Sequence, residues 1–344
     1  MKNKNLYRDA LLACLRRVPS ATVEATDDEG PGQQADLRVQ VGLPGGASRA
    51  LICEFKDSGQ PRWARQAINQ LWAYRDDPNT YCVFIAPYIS PKTAELCARE
   101  GVGFIDLAGN CRLSFDGVYI EQEGRPNPHP QRRELRSLFA PKATRVLRVL
   151  LSLPSKKWKT QPLADEADVS LGQVSNLKKL LLDREWIETS REGLFLKEPE
   201  ALLLEWAENY DPSRNRPRAY YSLKSSAEIE SDIAEQCDRA GLRYALTAFS
   251  GAARLAPAVR YQRASAFVES ADKIAFSLDL KEVESGANVS LLTPYDDGVF
   301  YDSQESDGVR VASPVQRYLD LDSIKGRGEE AARAVLDLEL RPRW

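Results

Sequence analysis

"CEFKDSGQPRWARQAINQLWAY", residues 53–74, decides how the first third of this 344-residue chain is read. It begins inside the strand pattern "RALICEFK" and runs on into a helix pattern from about 61 to 76. Side chains alternate across a strand, so Ala50, Ile52, Glu54 and Lys56 share one face, and Leu51, Cys53 and Phe55 the other. A strand apolar on both faces belongs near the centre of a sheet, with its two charges where it leaves the core. Asp36 opens the preceding strand, "ADLRVQVGL", and in an antiparallel hairpin the start of one strand neighbours the end of the next. Asp36 is therefore expected to meet Glu54 and Lys56. On the helix, Gln70 and Tyr74 are four apart and share a face turned toward the same place.

Two carboxylates beside an ammonium supply what metal-assisted phosphodiester hydrolysis needs. Asp36 and Glu54 would hold magnesium or manganese, which polarises the phosphate and lowers the pKa of bound water; Lys56 would position that water and offset developing charge. The plainer alternative is a solvated ion pair worth under about 1 kcal/mol, with Tyr74 capping the core. Working outward, residues 1–125 read helix, three strands, helix, strand, helix, strand and a closing strand pair. Gly and Pro clusters punctuate them. Asp36, Glu54-x-Lys56 and Gln70-x-x-x-Tyr74 laid over that order resemble the PD-(D/E)xK restriction-endonuclease-like fold, in its branch with a QxxxY helix. The resemblance implies a catalytic set of Asp36, Glu54, Lys56, Gln70 and Tyr74, with Asp36 and Glu54 as metal ligands. Ala35 stands where such domains usually carry Pro, and Asp9 or Glu24 is available as the further acid that some members place on the first helix.

Composition narrows the chemistry. The six cysteines show no CxxC pair and sit among apolar residues, which suits reduced, buried thiols. His129 is the only histidine, so multi-histidine metal sites are excluded, and its place between Pro128 and Pro130 speaks against a Ser-His-Asp mechanism. At 43% hydrophobic and 28% charged the chain reads as globular, without an apolar run of membrane-spanning length. Its N-terminal pattern reads as an amphipathic helix, with no cleavage site following, so a cytoplasmic location is expected. The net charge of -3 conceals a basic block: residues 125–159 carry Arg125, Arg132, Arg133, Arg136, Lys142, Arg145, Arg148, Lys156, Lys157 and Lys159 against Glu134 alone. A phosphate backbone is the natural partner for such a block.

The block includes a proline-rich linker (126–139) and runs into a helical segment (140–210). "KTQPLADEADVSLGQVSNLKKLLLDREWIE" contains two short helices, with Ser170 as N-cap of the second. Val174, Leu177, Leu180 and Leu181 follow helical spacing and should pack inward. Gln173, Ser175, Asn176, Lys178 and Lys179 remain for the outer surface, where amides and hydroxyls read base edges and lysines hold phosphates. "EWIETSREGLFLKE" adds a two-stranded ribbon. The segment resembles a winged helix-turn-helix, which implies double-stranded DNA as partner. Expected contacts are Arg132, Arg133, Arg136, Lys142, Lys156, Lys157, Lys159 and the six residues at 170, 173, 175, 176, 178 and 179.

After a polar break at 211–219, residues 220–344 read as another α/β domain, with "DGVFYDS" as a strand and "PYDDGVFY" (294–301) as a hairpin turn. "ALTAFSGAARLAPAVRYQRASAFVES" with "SGANVSLLTPYDDGVFYDSQESDGVRVASPVQRYLDLDSIKGRGEEAA" resembles AbiEi-type transcriptional regulators, the antitoxins of type IV toxin-antitoxin systems; with the winged helix this covers about 135–344. The resemblance implies a repressor able to oppose a nucleotidyltransferase-type toxin. Ser250-Gly251 and Glu269 echo a nucleotidyltransferase core weakly, but one carboxylate does not make its metal site. The expectation is a multidomain α/β protein that regulates transcription through its central winged helix. Two alternatives are kept open: a magnesium-dependent DNA nuclease directed by that helix, and a toxin-neutralising interaction protein. A homodimer is expected only because many such regulators read paired half-sites.

Overall fold

The computed structural model describes residues 4–19, 22–26, 35–43, 46–75, 77–127, 138–254 and 261–344. The chain divides into two compact units, Met1–Arg132 with Leu182–Glu185, and Arg133–Leu181 with Trp186–Trp344.

In the first unit the elements run α1 (Lys4–Leu15), β1 (Thr22–Thr26), β2 (Leu37–Gly42), β3 (Ser48–Phe55), α2 (Pro61–Tyr74), β4 (Tyr81–Ala86), α3 (Pro91–Arg99), β5 (Gly103–Asp106), β6 (Cys111–Phe115) and β7 (Val118–Gln122). The sheet order is β1 to β7 in sequence. β1–β2–β3 and β5–β6–β7 are antiparallel meanders, while β3–β4–β5 are parallel. The parallel steps need crossovers, and α2 and α3 supply them. Strand parity then sorts the core. Leu37, Val39, Leu51, Cys53 and Val83 face α1 through Tyr7, Leu11 and Leu15. Ile52, Cys82, Phe84 and Phe104 face α2 and α3 through Ala64, Ile68, Leu71 and Cys97.

Two local devices hold the carboxyl ends of the parallel strands. Buried Asp106 accepts from the amides of Asn110 (2.8 Å) and Ile89 (3.1 Å) and from the Asn110 side chain (2.8 Å), tying the turn after β5 to the loop after β4. Gly59, just past β3, pairs with Ile89. A Cβ at Gly59 would lie 1.9 Å from the Tyr88 carbonyl oxygen, so only glycine permits that approach.

The second unit starts with α4 (Pro141–Ser152), α5 (Thr160–Glu166), α6 (Leu171–Asp183), the ribbon β8 (Ile187–Thr189) and β9 (Leu194–Leu196), and α7 (Pro199–Glu208). It continues as β10 (Pro217–Tyr221), α8 (Ser226–Ala240), β11 (Tyr244–Leu246), α9 (Ala248–Ala252), β12 (Ala264–Val268), α10 (Ala271–Ser277), β13 (Lys281–Glu282), β14 (Val289–Leu292), β15 (Gln304–Ser306), β16 (Val309–Val311), α11 (Pro314–Asp322) and α12 (Arg327–Val335). Its mixed seven-stranded sheet has the order β13-β10-β14-β12-β11-β16-β15. α8 and α10 cover one face through Ile229, Ile233, Cys237 and Ile274. Helix α8 is fixed at both ends, by a capping box between Ser225 and Glu228 and by Gly241 in the left-handed region.

One expectation is corrected here, that for 294–301, and two other segments gain detail. The break at 211–219 is ordered: Asp211 caps a 3-10 turn (Pro212–Asn215), and Asn215 is fully buried and donates to Tyr210 (2.9 Å). "DGVFYDS" is not a strand, nor is 294–301 a hairpin turn. Asp296 accepts from the Gly298 amide (2.8 Å) and starts a 3-10 turn, Asp297–Phe300, because this local side-chain bond outcompetes strand pairing. The nucleotidyltransferase echo is absorbed into structure. Ser250 is buried and accepts from the Ser265 amide (2.9 Å), and Glu269 pairs with Arg243 (2.6 Å).

All six cysteines are buried free thiols. Among the described residues no helix is long and apolar enough to cross a membrane.

Candidate functional site

At the end of β3, four of the five residues singled out as a catalytic set converge. The β2–β3 register pairs Leu37 with Cys53, which sets Asp36 across from Glu54. Asp36 Oδ2 accepts from the Phe55 amide at 2.8 Å. Lys56 Nζ donates to Glu54 Oε1 at 2.7 Å and to Gln70 Oε1 at 2.6 Å. The Lys56 backbone extends the parallel pairing through Ile85 (3.1 Å), so the residue is held beyond the last strand position. Parity places Glu54 and Lys56 on the α2 side with Ile52, and Gln70 reaches them from α2. Tyr74, half-buried one turn on, packs against the apolar core of that side. Asp9 lies on the exposed side of α1, and the side chain of Glu24 is outside the described residues.

Glu54 is 6% exposed. Burial pushes its carboxyl above the usual range, the Lys56 bond opposes that shift, and the Asp36 charge adds to it. One oxygen of each carboxylate lies outside these bonds. Hard oxygen donors of this kind suit magnesium or manganese, which take one or two carboxylates and fill the remaining positions with water and phosphate oxygens. Among the described residues no group of three or more His, Cys, Asp or Glu converges.

The second candidate surface is on α6. Ser170 Oγ accepts from the Gln173 amide at 3.3 Å and caps the helix. Val174, Leu177 and Leu181 are buried, whereas Leu180 is half-buried and does not join them fully. Ser170, Ser175, Asn176 and Lys179 are exposed; Gln173 and Lys178 are half-buried. The β8–β9 ribbon turns through Ser190 and Gly193 (2.8 Å), and Trp158 adds a third strand position by exchanging bonds with Leu194 (2.7 and 2.8 Å).

The basic block behaves less uniformly than its composition implied. Lys142 and Lys159 are exposed. Lys156 lies over the Trp158 ring at 3.7 Å, and Lys157 pairs with Glu192 of the ribbon turn. Arg132, Arg133 and Arg136 lie outside the described residues. Arg145 and Arg148 are not available to a phosphate. Arg145 is shared between Asp296 and Asp168, and Arg148 is 1% exposed. The Arg148 guanidinium stacks over Trp206 at 4.9 Å and donates to the Gln316 side chain. Gln316 in turn donates to Tyr210 and Asp320 (both 3.0 Å). Sequence reasoning missed this network because its members are 168 positions apart and none belongs to a short motif.

Residues 195–340 match the family described as "Transcriptional regulator, AbiEi antitoxin, Type IV TA system". The matched stretch runs from within β9 through α12, so the resemblance to AbiEi-type regulators holds for that part of the chain. Among solved structures, the "crystal structure of a repair endonuclease from Pyrococcus abyssi" is matched at 16% identity, over 30% of this chain and 46% of that chain, with a TM-score of 0.22. The chain thus spans under half of that structure's length. No curated protein matches the chain.

Proposed function

We propose that this chain is a sequence-specific DNA-binding transcriptional regulator of the AbiEi antitoxin type, with α4–α6 and the β8–β9 ribbon acting as a winged helix. The observation that carries this reading is the division of α6. Its apolar side is buried, while Ser170, Ser175, Asn176 and Lys179 face outward. Such a helix docks in the major groove, where Asn and Gln read base edges and lysines hold phosphates. The family description at 195–340 supports the regulatory role and the double-stranded DNA partner. It also supports opposition to a toxin, for which a nucleotidyltransferase-type enzyme is the candidate. A cytoplasmic homodimer reading paired half-sites completes the proposal.

The test starts from random duplexes selected by the wild-type protein. Asn176→Ala with Lys179→Ala should abolish preference for the selected sequence. Lys179→Ala alone should lower the dependence of log affinity on log salt by about 0.9. Binding unchanged in both variants would remove α6 from the reading.

A second reading is favoured by the convergence of Asp36, Glu54, Lys56 and Gln70: a metal-dependent DNA nuclease. Asp36 and Glu54 would hold magnesium or manganese, which when bound lowers the pKa of a coordinated water and polarises a phosphate. Gln70 fixes the Lys56 ammonium, which would orient the attacking water and offset charge on the phosphate. Wild type and Lys56→Ala are incubated with plasmid and linear DNA, with magnesium, manganese or EDTA. Cleavage that needs metal and is lost in the variant would establish the nuclease; DNA binding without cleavage in either protein favours the regulator.

A further inference from the structure

The 3-10 turn Asp297–Phe300 and its two flanking residues touch three parts of the second unit. On the sheet side, Asp297 accepts from Arg243 (2.9 Å), which also holds Glu269 just past β12. On the helical side, Asp296 takes Arg145 of α4 through both carboxylate oxygens, at 2.9 and 3.0 Å from Nε. Tyr301 donates to Glu166, the last residue of α5, at 2.9 Å. The turn is packed close, for a Cβ at Gly298 would lie 3.0 Å from Arg145 Cγ.

Arg145 then passes the connection on. Its Nη1 donates to Asp168 Oδ2 (2.6 Å) and to the Asp168 carbonyl (3.4 Å). Asp168 lies in the short link between α5 and α6 and has φ +50. A non-glycine residue in that region needs fixed surroundings, and Arg145 supplies them. The Asp296 side chain is 8% exposed, so this half of the bridge is screened from solvent, whereas Asp168 is 92% exposed.

We infer that Arg145 is a positioning residue for DNA binding, an ionic tether by which the turn at 296–301 sets the α5–α6 link and with it the attitude of α6. This rests on the reading that α6 contacts DNA. The tether makes a claim that a phosphate ligand would not. If Arg145 held phosphate, weakening its hold on Asp296 would free it and leave binding equal or stronger, and Arg145→Gln would lower the salt dependence. As a tether it contributes no released counterion, so its loss lowers affinity at unchanged salt dependence.

The experiment uses the full chain and the duplex selected by the wild type, titrated at several salt concentrations. Asp296→Asn retains an oxygen for the Gly298 amide but drops the charge, and should weaken binding about tenfold with the salt slope intact. Arg145→Gln should give a similar loss at the same slope, and the double variant should be no worse than the weaker single one. If Asp296→Asn melts early, Tyr301→Phe carries the test at the second grip, with a loss of about threefold. A wild type that selects no duplex defeats the DNA-binding reading itself. A wild type that selects one, while the folded variants bind it equally well or Arg145→Gln flattens the salt dependence, overturns the tether alone.

Discussion

At the end of β3, Lys56 spends its donors on Glu54 and Gln70, and Asp36 spends an oxygen on a backbone amide. Along the outer side of α6, Ser175, Asn176 and Lys179 face solvent instead. The first arrangement is preorganised chemistry around a buried carboxylate; the second is an open surface whose partners come from outside. Charge on its own does not separate the two. Arg148 and Lys179 count equally in the sequence, yet one is a buried stacking partner of Trp206 and the other is exposed.

That contrast fails most visibly at Arg148 if the network around it is slack. Arg148→Ala removes a guanidinium from between Trp206 and Gln316 and leaves buried Asp320 without its nearby positive charge. We expect a loss of about 3–5 kcal/mol in urea unfolding, because the change empties a buried site, ends the stacking on Trp206 and leaves the Gln316 side chain without its donor. A loss below about 1 kcal/mol would mean that the guanidinium is as replaceable as a surface cation.

A smaller effect sharpens the other half of the comparison. Burial raises the Glu54 pKa in the folded protein above its ordinary value of 4.5. The folded state therefore holds this proton more tightly than the unfolded one. The corresponding stability is fully present below pH 4.5 and is lost as pH rises through the raised folded value. Glu54→Gln lacks that dependence, so the stability of wild type relative to the variant should fall from pH 4 to pH 7. A difference flat across that window would show that Lys56 cancels the burial.

Smallest of all is Lys157→Ala. Its pairing with Glu192 is solvent-exposed on both sides, and the thermal midpoint should not move. A measurable drop would show that the ribbon turn depends on the pair rather than on the Ser190–Gly193 bond.

The site on β3 was legible because two periodicities intersect there. Strand alternation placed Glu54 with Lys56, antiparallel order brought Asp36 opposite, and the β3–β4 crossover delivered Gln70. α6 was legible from Val174, Leu177 and Leu181 alone. What could not be read was the fate of each cation. Arg145 and Arg148 sit in a run that looks uniformly basic, but their partners, Asp296 and Gln316, are 151 and 168 residues away. Asp296 itself was misread as hairpin chemistry, since a capping aspartate and a turn aspartate share the same short pattern. Asp106 likewise bore no motif, though it anchors the loops beside the β3 site.

The long reach of α4 has a consequence in time. The first unit meets its distant partners early: Arg17 bonds Gln122, 105 residues later. α4 must wait for Asp296, Gln316 and the indole of Trp344, which bonds the Leu151 carbonyl. At a synthesis rate of roughly 5–20 residues per second, the interval from Arg148 to Gln316 is on the order of ten seconds. Through that interval the nascent helix has α5 and β9 beside Val146, Leu147, Leu150 and Leu151, while α11 and the 297–300 turn are still unmade. The first unit can be finished on the ribosome while the second is exposed to chaperones and proteases, so damage to the 296–344 segment should be seen first as low yield.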